Sequence, residues 1–346
     1  MTPVTIRHVA ARAGCSIATV SRVVTGTGPA SATMRARVEA AVAELGFQPS
    51  EVGRSLARAS RRTLGVLVPS IANPVFATTL AGMQDRARAA GLSVLIAQSD
   101  YDPVREVEAV EALLAERPVG LALTVCDPAT SEALSRAERS GIPVVLVHNE
   151  PGARRVAAVA VDNRAAARAL VAGLVELGHR RIAFVAGCFS ASDRSRLRHA
   201  GYVEALRAAG LAPSAAIEVD FIAGAEDVDL TEVMERLRPT AVVASNDLLA
   251  LSVVASLRRL GFEVPRDVSV TGFDGIALGR LVHPALATVE QPARAMGVSA
   301  ISLLLDRIAG RVGPDLVRVD HRLRLGGTLA SPPAGSSLRL IAGDLA

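Results

Sequence analysis

From Leu64 onward the chain alternates two textures. Short, β-branched apolar runs (LGVLVP, LSVLIAQ, VGLALTV, IPVVLVH, AAVAVD, RIAFVAG, IEVDF, TAVVAS and VSVTGFD) are bounded by Gly, Pro, Asn or Asp, and between them lie amphipathic stretches of helical length such as 76–90, 105–116 and 163–177. Apolar runs alternating with helices predict parallel sheets covered on both faces. Nine such runs, with later ones to follow, exceed one comfortable sheet. The pattern therefore predicts an α/β core of two doubly wound parallel-sheet lobes. The first sixty residues follow a helical period instead. Ile6, Val9 and Ala10, then Val20, Val23 and Val24, then Val38, Ala41, Val42 and Leu45 form three apolar faces. Thr5 caps a helix over 6–13, Gly14 breaks it, Ser16 caps one over 17–24, and Ser31 caps a third that ends at Leu45 before Gly46.

Two helices joined by a tight turn within twenty residues have the spacing of a helix-turn-helix, whose second helix enters the DNA major groove. With Val20, Val23 and Val24 facing the core, Ile17, Ala18, Ser21 and Arg22 face outward. Arg22 suits a bidentate contact to guanine O6 and N7, and Ile17 and Ala18 suit thymine methyls. Thr19, Ser21 and the helix N-terminus suit phosphates, and the cap residues Thr5 and Ser16 join them as DNA-contacting candidates. On spacing alone the competing reading is a three-helix interaction domain with a solvated arginine. Charge distribution favours nucleic acid. Residues 1–62 hold nine arginines against Glu39, Glu44 and Glu51, a net +6, whereas the whole chain carries only +4, which leaves −2 for the rest.

Composition narrows the remainder. All 38 basic residues are arginine, which excludes P-loop, Schiff-base and pyridoxal chemistry, each dependent on a lysine amine. Cys15, Cys126 and Cys188 are odd in number and far apart, so no disulfide framework or zinc knuckle is expected. The six histidines lack metal-ligand spacing, and neither a nucleophile elbow nor a glycine-rich dinucleotide loop is present. An enzyme is therefore the disfavoured alternative, and no cofactor or metal is expected. No apolar run reaches 18 residues and charges interrupt the N-terminal stretch, which predicts a cytoplasmic protein without a membrane partner. In open α/β sheets ligands bind beyond the carboxyl ends of strands. Ser70, Asn73, Asp100, His148, Asn149, Asp162, Asn163, Asp220, Asn246, Asp247 and Asp274 follow the apolar runs. They describe either a cleft for a polyhydroxylated or polar molecule, or residues that merely end strands.

The segment VTIRHVAARAGCSIATVSRVVTGTGPASATMRARVEAAVAELGFQPSEVGRSLA, residues 4–57, resembles the N-terminal headpiece of the lac-repressor (LacI) family of bacterial transcription regulators. VPSIANPVFATTLAGM, GHRRIAFVAG, RHAGYVEAL, SNDLLALSVVASLRRLGFEVPRDVSVTGFDG and LATVEQPARAMG extend the resemblance in order to about residue 330. It implies a headpiece over 1–49, a hinge helix or linker over 50–61, and a core over 62–330 that looks like a periplasmic sugar-binding protein. Within that core, lobe 1 spans about 62–161 and 291–321, and lobe 2 about 162–290 and 322–330. The hinge helix implied by the resemblance pairs with its twin on DNA and wedges Leu56, beside Ala57, into the minor groove at a central CG step. Gly53 stands where the family commonly has alanine and weakens that helix by roughly 1 kcal/mol.

By motif, the resemblance assigns effector contacts to Asn73 and Phe76 of NPVF, Arg198 three residues before Gly201, Phe221 of VDF, Asn246 of SND, Asp274 of GFD, and Gln291 near a lobe crossing. His148 stands where many members have aspartate and joins the set as a departure that tunes specificity; from the residues alone, a surface histidine is the plainer reading. With nine aromatics and no Trp, a monosaccharide or sugar acid fits better than an oligosaccharide, and Arg198 can also clamp a carboxylate or phosphate. The function implied is a homodimeric repressor on a palindromic operator in double-stranded DNA, released by its effector or dependent on it as a corepressor. A pure solute-binding protein is a third possibility, at odds with the headpiece. Residues 331–346 contain Pro332, Pro333 and Gly343 and too few heptads for a coiled coil. A disordered tail, and a dimer rather than a tetramer, are expected.

Overall fold

The computed structural model describes residues 4–25, 30–47, 63–221 and 228–333, and the chain divides into two compact units, Met1–Arg62 and Thr63–Ala346. The first unit contains α1 (Ile6–Ala13), α2 (Ile17–Thr25) and α3 (Ala32–Leu45). Val9, Ala10, Ala13, Val20, Val23, Val38 and Ala41 are buried together, so the three predicted apolar faces do meet. Gly14 ends α1 with a left-handed φ of 59°, a conformation that costs an L side chain about 1–2 kcal/mol. Arg37 of α3 reaches across to donate to the Ala13 carbonyl at 2.6 Å, which ties the third helix to the turn. Ser16 Oγ accepts from Thr19 N–H at 3.1 Å, and Ser31 Oγ from Met34 N–H at 3.3 Å. Thr5 occupies the first cap position, but the bond that closes that turn runs from its N–H to His8 Nδ1, at 3.1 Å.

In the second unit every one of the nine apolar runs contains a strand. In chain order the elements are β1 (Thr63–Val68), α4 (Pro74–Ala89), β2 (Ser93–Gln98), α5 (Pro103–Ala115), β3 (Gly120–Leu123), α6 (Glu132–Arg139), β4 (Val144–Val147), β5 (Ala157–Ala160) and α7 (Asn163–Glu176). There follow β6 (Ile182–Gly187), α8 (Asp193–Ala208), β7 (Ile217–Val219), α9 (Thr231–Arg236), β8 (Ala241–Ala244), α10 (Asp247–Arg259), β9 (Ser269–Asp274) and α11 (Leu278–Leu281). The last elements are β10 (Ala287–Glu290), α12 (Ala293–Ile308), β11 (Leu316–Arg318) and β12 (Arg322–Arg324). They form two six-stranded sheets, ordered β11-β5-β4-β3-β1-β2 and β12-β10-β9-β8-β6-β7. All pairs are parallel except β10 with β12. The chain passes between the sheets after β5, after β10 and after β11, so each lobe is completed by residues far apart in sequence.

The order of strands follows from the connections. Parallel neighbours need crossovers, and capped amphipathic helices supply them. Asp102 accepts from Val104 N–H at 2.7 Å, Asp162 from Ala165 N–H at 2.8 Å and Ser192 from Ser195 N–H at 3.3 Å, each starting a helix where a strand's loop ends. One helix contact in lobe 1 is unusually close. A Cβ built on Gly82 of α4 would lie 2.1 Å from the Arg294 carbonyl oxygen, and one on Gly297 of α12 would lie 2.0 Å from that of Thr79. The two helices thus touch backbone to backbone, which docks α12 after the second crossing.

Because the neighbours of Gly297 are backbone atoms that cannot swing aside, Gly297→Ala is expected to lower stability by about 1–3 kcal/mol through overpacking. Urea denaturation of the full chain, compared with an exposed helix substitution such as Glu108→Ala in α5, measures it.

Candidate functional site

The carboxyl ends of the two sheets face one another across a narrow cavity. Its wall holds all eight residues to which effector contacts were assigned: Asn73, Phe76, His148, Arg198, Phe221, Asn246, Asp274 and Gln291. It also holds Val75, Tyr101, Ser192, Arg194, Ser195 and Ser245, which sequence reasoning missed. Two of these left a trace in the sequence. Tyr101 follows the strand-end Asp100, and Arg194 lies one helical turn before Arg198 on the same helix.

Asn73 and Asn246 serve two roles. Their Oδ1 atoms cap α4 and α10, accepting from Val75 N–H at 3.2 Å and Leu249 N–H at 2.8 Å, so both begin a helix. An oxygen spent on a cap leaves the side-chain NH2 as the group with which each can meet a ligand. The Asn73 amide also faces the Tyr101 hydroxyl and the Asp274 carboxyl.

Arg198 is the centre of lobe 2's share of the wall. Its Nε donates to Asn163 Oδ1 at 2.8 Å, its Nη1 donates to the Ser245 carbonyl and approaches Asp274 Oδ1 at 3.4 Å, and its guanidinium carbon lies 3.6 Å from the centre of the Phe273 ring. Burial pulls its pKa down to about 10, partly offset by Asp274, so it stays charged at neutral pH. Gln291 Nε2 donates to Asp274 Oδ1 at 2.7 Å. Burial raises the pKa of Asp274 while Arg198 pulls it back. Behind them Asp247 accepts from Ile276 N–H at 2.8 Å and from the Thr288 hydroxyl, and burial followed by the nearby Asp274 charge pushes its pKa up to about 7.

His148 is buried, a correction to the plain reading of a surface histidine. Its Nε2 meets the Thr79 hydroxyl at 2.9 Å, and its ring stands edge-on to Phe76 with centroids 5.3 Å apart. Burial first, then the charges of Arg194 and Arg198, lower its pKa to about 3. It is therefore a neutral imidazole at any physiological pH. Tyr101 stacks on Phe221 across the cleft at 4.3 Å and 19°. Burial pushes its phenol up to about 12, so it too is uncharged. The Phe221 ring rests on Gly187, where a Cβ would come within 1.9 Å of it. Tyr101, His148 and Asp274 have φ values of 59°, 67° and 119°. Such backbone is costly for side chains of this kind and clusters at functional sites.

The lobes are joined beside the cavity by charged and amide groups. Arg194 Nη1 donates to the Val125 carbonyl at 2.8 Å, Asn149 Nδ2 to Asp193 Oδ1 at 2.8 Å, Asp193 N–H to the Cys126 carbonyl at 2.7 Å and Arg196 Nη2 to Asp127 Oδ2 at 2.8 Å. All the lobe 2 partners come from the start of α8.

In the first unit the outward stripe of α2 is as the period requires. Ser16, Ile17, Ala18 and Arg22 are exposed, Thr19 and Ser21 half-buried, and Thr5 exposed at the start of α1. Arg22 Nε donates to the Ala18 carbonyl at 3.3 Å, which holds the base of the guanidinium along the helix. The Thr19 hydroxyl is 2.9 Å from that of Ser16. Leu56 and Ala57 lie outside the described residues, as do the rest of the expected hinge and residues 334–346 of the expected tail. Among the described residues no group of His, Cys, Asp and Glu is placed to hold a metal, and no helix is long and apolar enough to cross a membrane.

A helix-turn-helix unit in one chain with a two-lobed binding core defines a class: DNA-binding regulators with a ligand-binding domain. Comparison with known proteins specifies it. Residues 5–50 match the model for bacterial regulatory proteins of the lacI family, and residues 171–328 match a periplasmic binding protein-like domain. The HTH-type transcriptional regulator GntR of Escherichia coli strain K12 is 32% identical over 327 residues, covering 94% of this chain and 98% of that one. A crystal structure of the lac repressor dimer bound to operator and the anti-inducer ONPF superposes with a TM-score of 0.76 at 30% identity, covering 95% of this chain and 100% of that one. A complex of the transcriptional regulator CelR with cellobiose superposes at 0.70 and 28% identity, covering 94% and 99%. The chain belongs to the lacI family. It is a transcriptional repressor with DNA-binding and effector-binding domains, and its relatives are regulators rather than enzymes.

The folded pKa of Asp247 lies above the ordinary carboxyl value, so the stability this group contributes is complete below about pH 4 and is lost as pH rises to about 7. Asp247→Asn is expected to flatten that interval by up to about 4 kcal/mol. Urea unfolding of both proteins at the two ends of the interval measures the difference.

Proposed function

We propose that the chain acts as a cytoplasmic homodimer that grips a palindromic operator through α2 and changes its DNA affinity when a sugar or sugar derivative binds between the lobes. The observation that carries the reading is the convergence of seven motif-assigned residues and His148, from both lobes and a crossing, on one cavity. Capping amides, a charged arginine, an aspartate and a phenyl face suit hydroxyls and the C–H side of a small polyol. The sugar complex of CelR supports the ligand class by kinship. A homodimer is supported by apolar surface on the core: edge strand β2 exposes Leu95 and Ile96, and Leu281 of α11 is 81% exposed. Two copies of α2 then read the two halves of a palindrome. Leu56 and Ala57 enter this reading as the wedge at a central CG step.

Lobe closure changes the spacing of the two hinge segments, which couples cleft to operator. Linkage requires effector and DNA to change one another's affinity by the same factor, commonly about 1–3 kcal/mol.

Selection of random duplex DNA on the purified protein at two salt concentrations is expected to enrich a palindrome with a CG centre, with affinity falling steeply as salt rises. Arg22→Ala is expected to cost about 1–3 kcal/mol on the selected site and to relax one base pair in each half. Enrichment of no sequence, with or without added sugars, would overturn the reading.

A further inference from the structure

The cavity wall carries two buried polar atoms with no hydrogen bond of normal geometry. Arg194 is 5% exposed; its Nη1 is held by the Val125 carbonyl and by Asp193 at 3.0 Å, but its Nη2 has no hydrogen-bond partner. Gln291, also 5% exposed, has no hydrogen bond of normal geometry at Oε1, and the neutral His148 ring lies beside its amide. The orientation of that amide is set chemically, because the bond to the Asp274 carboxylate can be donated only by the amide nitrogen. A buried donor or acceptor left unmatched costs about 1–3 kcal/mol, and more when charged.

Each wall arginine has a carboxylate partner, but one guanidinium N–H is left unmatched. Arg194, Arg198 and Asp274 line the cavity, and His148 is neutral there. Arg198 meets Asp274 within the wall, whereas the carboxylate that pairs with Arg194, that of Asp193, engages only Nη1 and does not line the cavity. The wall therefore presents an unmatched guanidinium N–H, on an arginine whose charge is shared with Asp193 and the nearby Glu106, beside the Gln291 acceptor.

We propose that Arg194 binds the carboxylate of an anionic, hydroxylated effector and that Gln291 Oε1 accepts from one of its hydroxyls. The assignment rests on the effector reading of this cleft and narrows it to hydroxy acids of monosaccharide size. Arg194 was absent from the motif-assigned set, so it is the residue that separates acid from neutral sugar in this chain.

Calorimetry on the full-length protein tests it with D-glucuronate, D-galacturonate, D-gluconate and D-glycerate, each against its uncharged counterpart: D-glucose, D-galactose, D-glucitol and glycerol. At least one acid is expected to bind about 10-fold or more tighter than its counterpart, the size of effect one charged hydrogen bond supplies. Arg194→Gln is expected to abolish that preference, and Arg194→Lys, which loses the same packing but keeps the charge, to retain it. Thermal melting of both variants confirms that each is folded. An acid preference that survives Arg194→Gln overturns the assignment, as does binding of no acid. Neutral members that bind and shift operator affinity while the acids do not would sink the carboxylate assignment and leave the effector reading standing. If no member of either set binds or shifts operator affinity, both fall.

Discussion

A guanidinium taken out of water must be given acceptors, and the core of this protein is arranged around two of them. Arg194 and Arg198 lie one turn apart at the start of α8, both buried. Arg198 finds its acceptors at the first crossing between lobes, in Asn163, and at the end of β8, in the Ser245 carbonyl. Arg194 finds one in the opposite lobe, at the Val125 carbonyl. Arg198 takes none of these acceptors from its own helix, and Arg194 takes only the Asp193 carboxylate from it. Charged hydrogen bonds contribute about 1.5–3 kcal/mol each when made, and their loss leaves a buried charge uncompensated. The lobes are thereby held face to face beside the cavity, and separating them means hydrating Arg194, Asp193 and Asn149 together.

The same requirement makes the cleft a place where a small ligand has leverage. Its wall is closed by an aromatic stack that joins Tyr101 of one lobe to Phe221 of the other, and three wall residues carry left-handed or otherwise costly backbone. Strain and unmatched polar atoms in one small volume are features a folded chain retains where something else completes them. A ligand that matches those atoms acts on the balance between lobe arrangements only to the extent that it binds one of them better. That difference, small beside the total stability, is the quantity a regulator transmits.

Much of this was legible along the chain. All nine apolar runs became strands because β-branched residues flanked by turn formers have few other ways to be buried, and helix starts followed Asn, Asp and Ser residues that went on to accept first-turn N–H groups. The outward stripe of α2 was a matter of helical period alone. Seven cavity residues were named by motif, each lying in a segment such as NPVF, SND or GFD that can be read off the chain, and His148 was named beside them as a departure.

His148 and Arg194 mark where that legibility ends. A histidine after an apolar run reads the same whether it is solvated or, as here, packed on Phe76 and Thr79 with its proton driven off. Arg194 reads as one more arginine among 38, and Tyr101 as a residue after a strand. Their roles depend on which groups from the other sheet stand opposite them. Periodicity, caps and motif spacing are local and act through the chain itself, so the amino-acid sequence alone determined the strands, the helices and the reading face of α2. Burial, proton affinity and unmatched hydrogen bonds depend on the low dielectric and the partners that a second lobe supplies, and only the tertiary structure decided those.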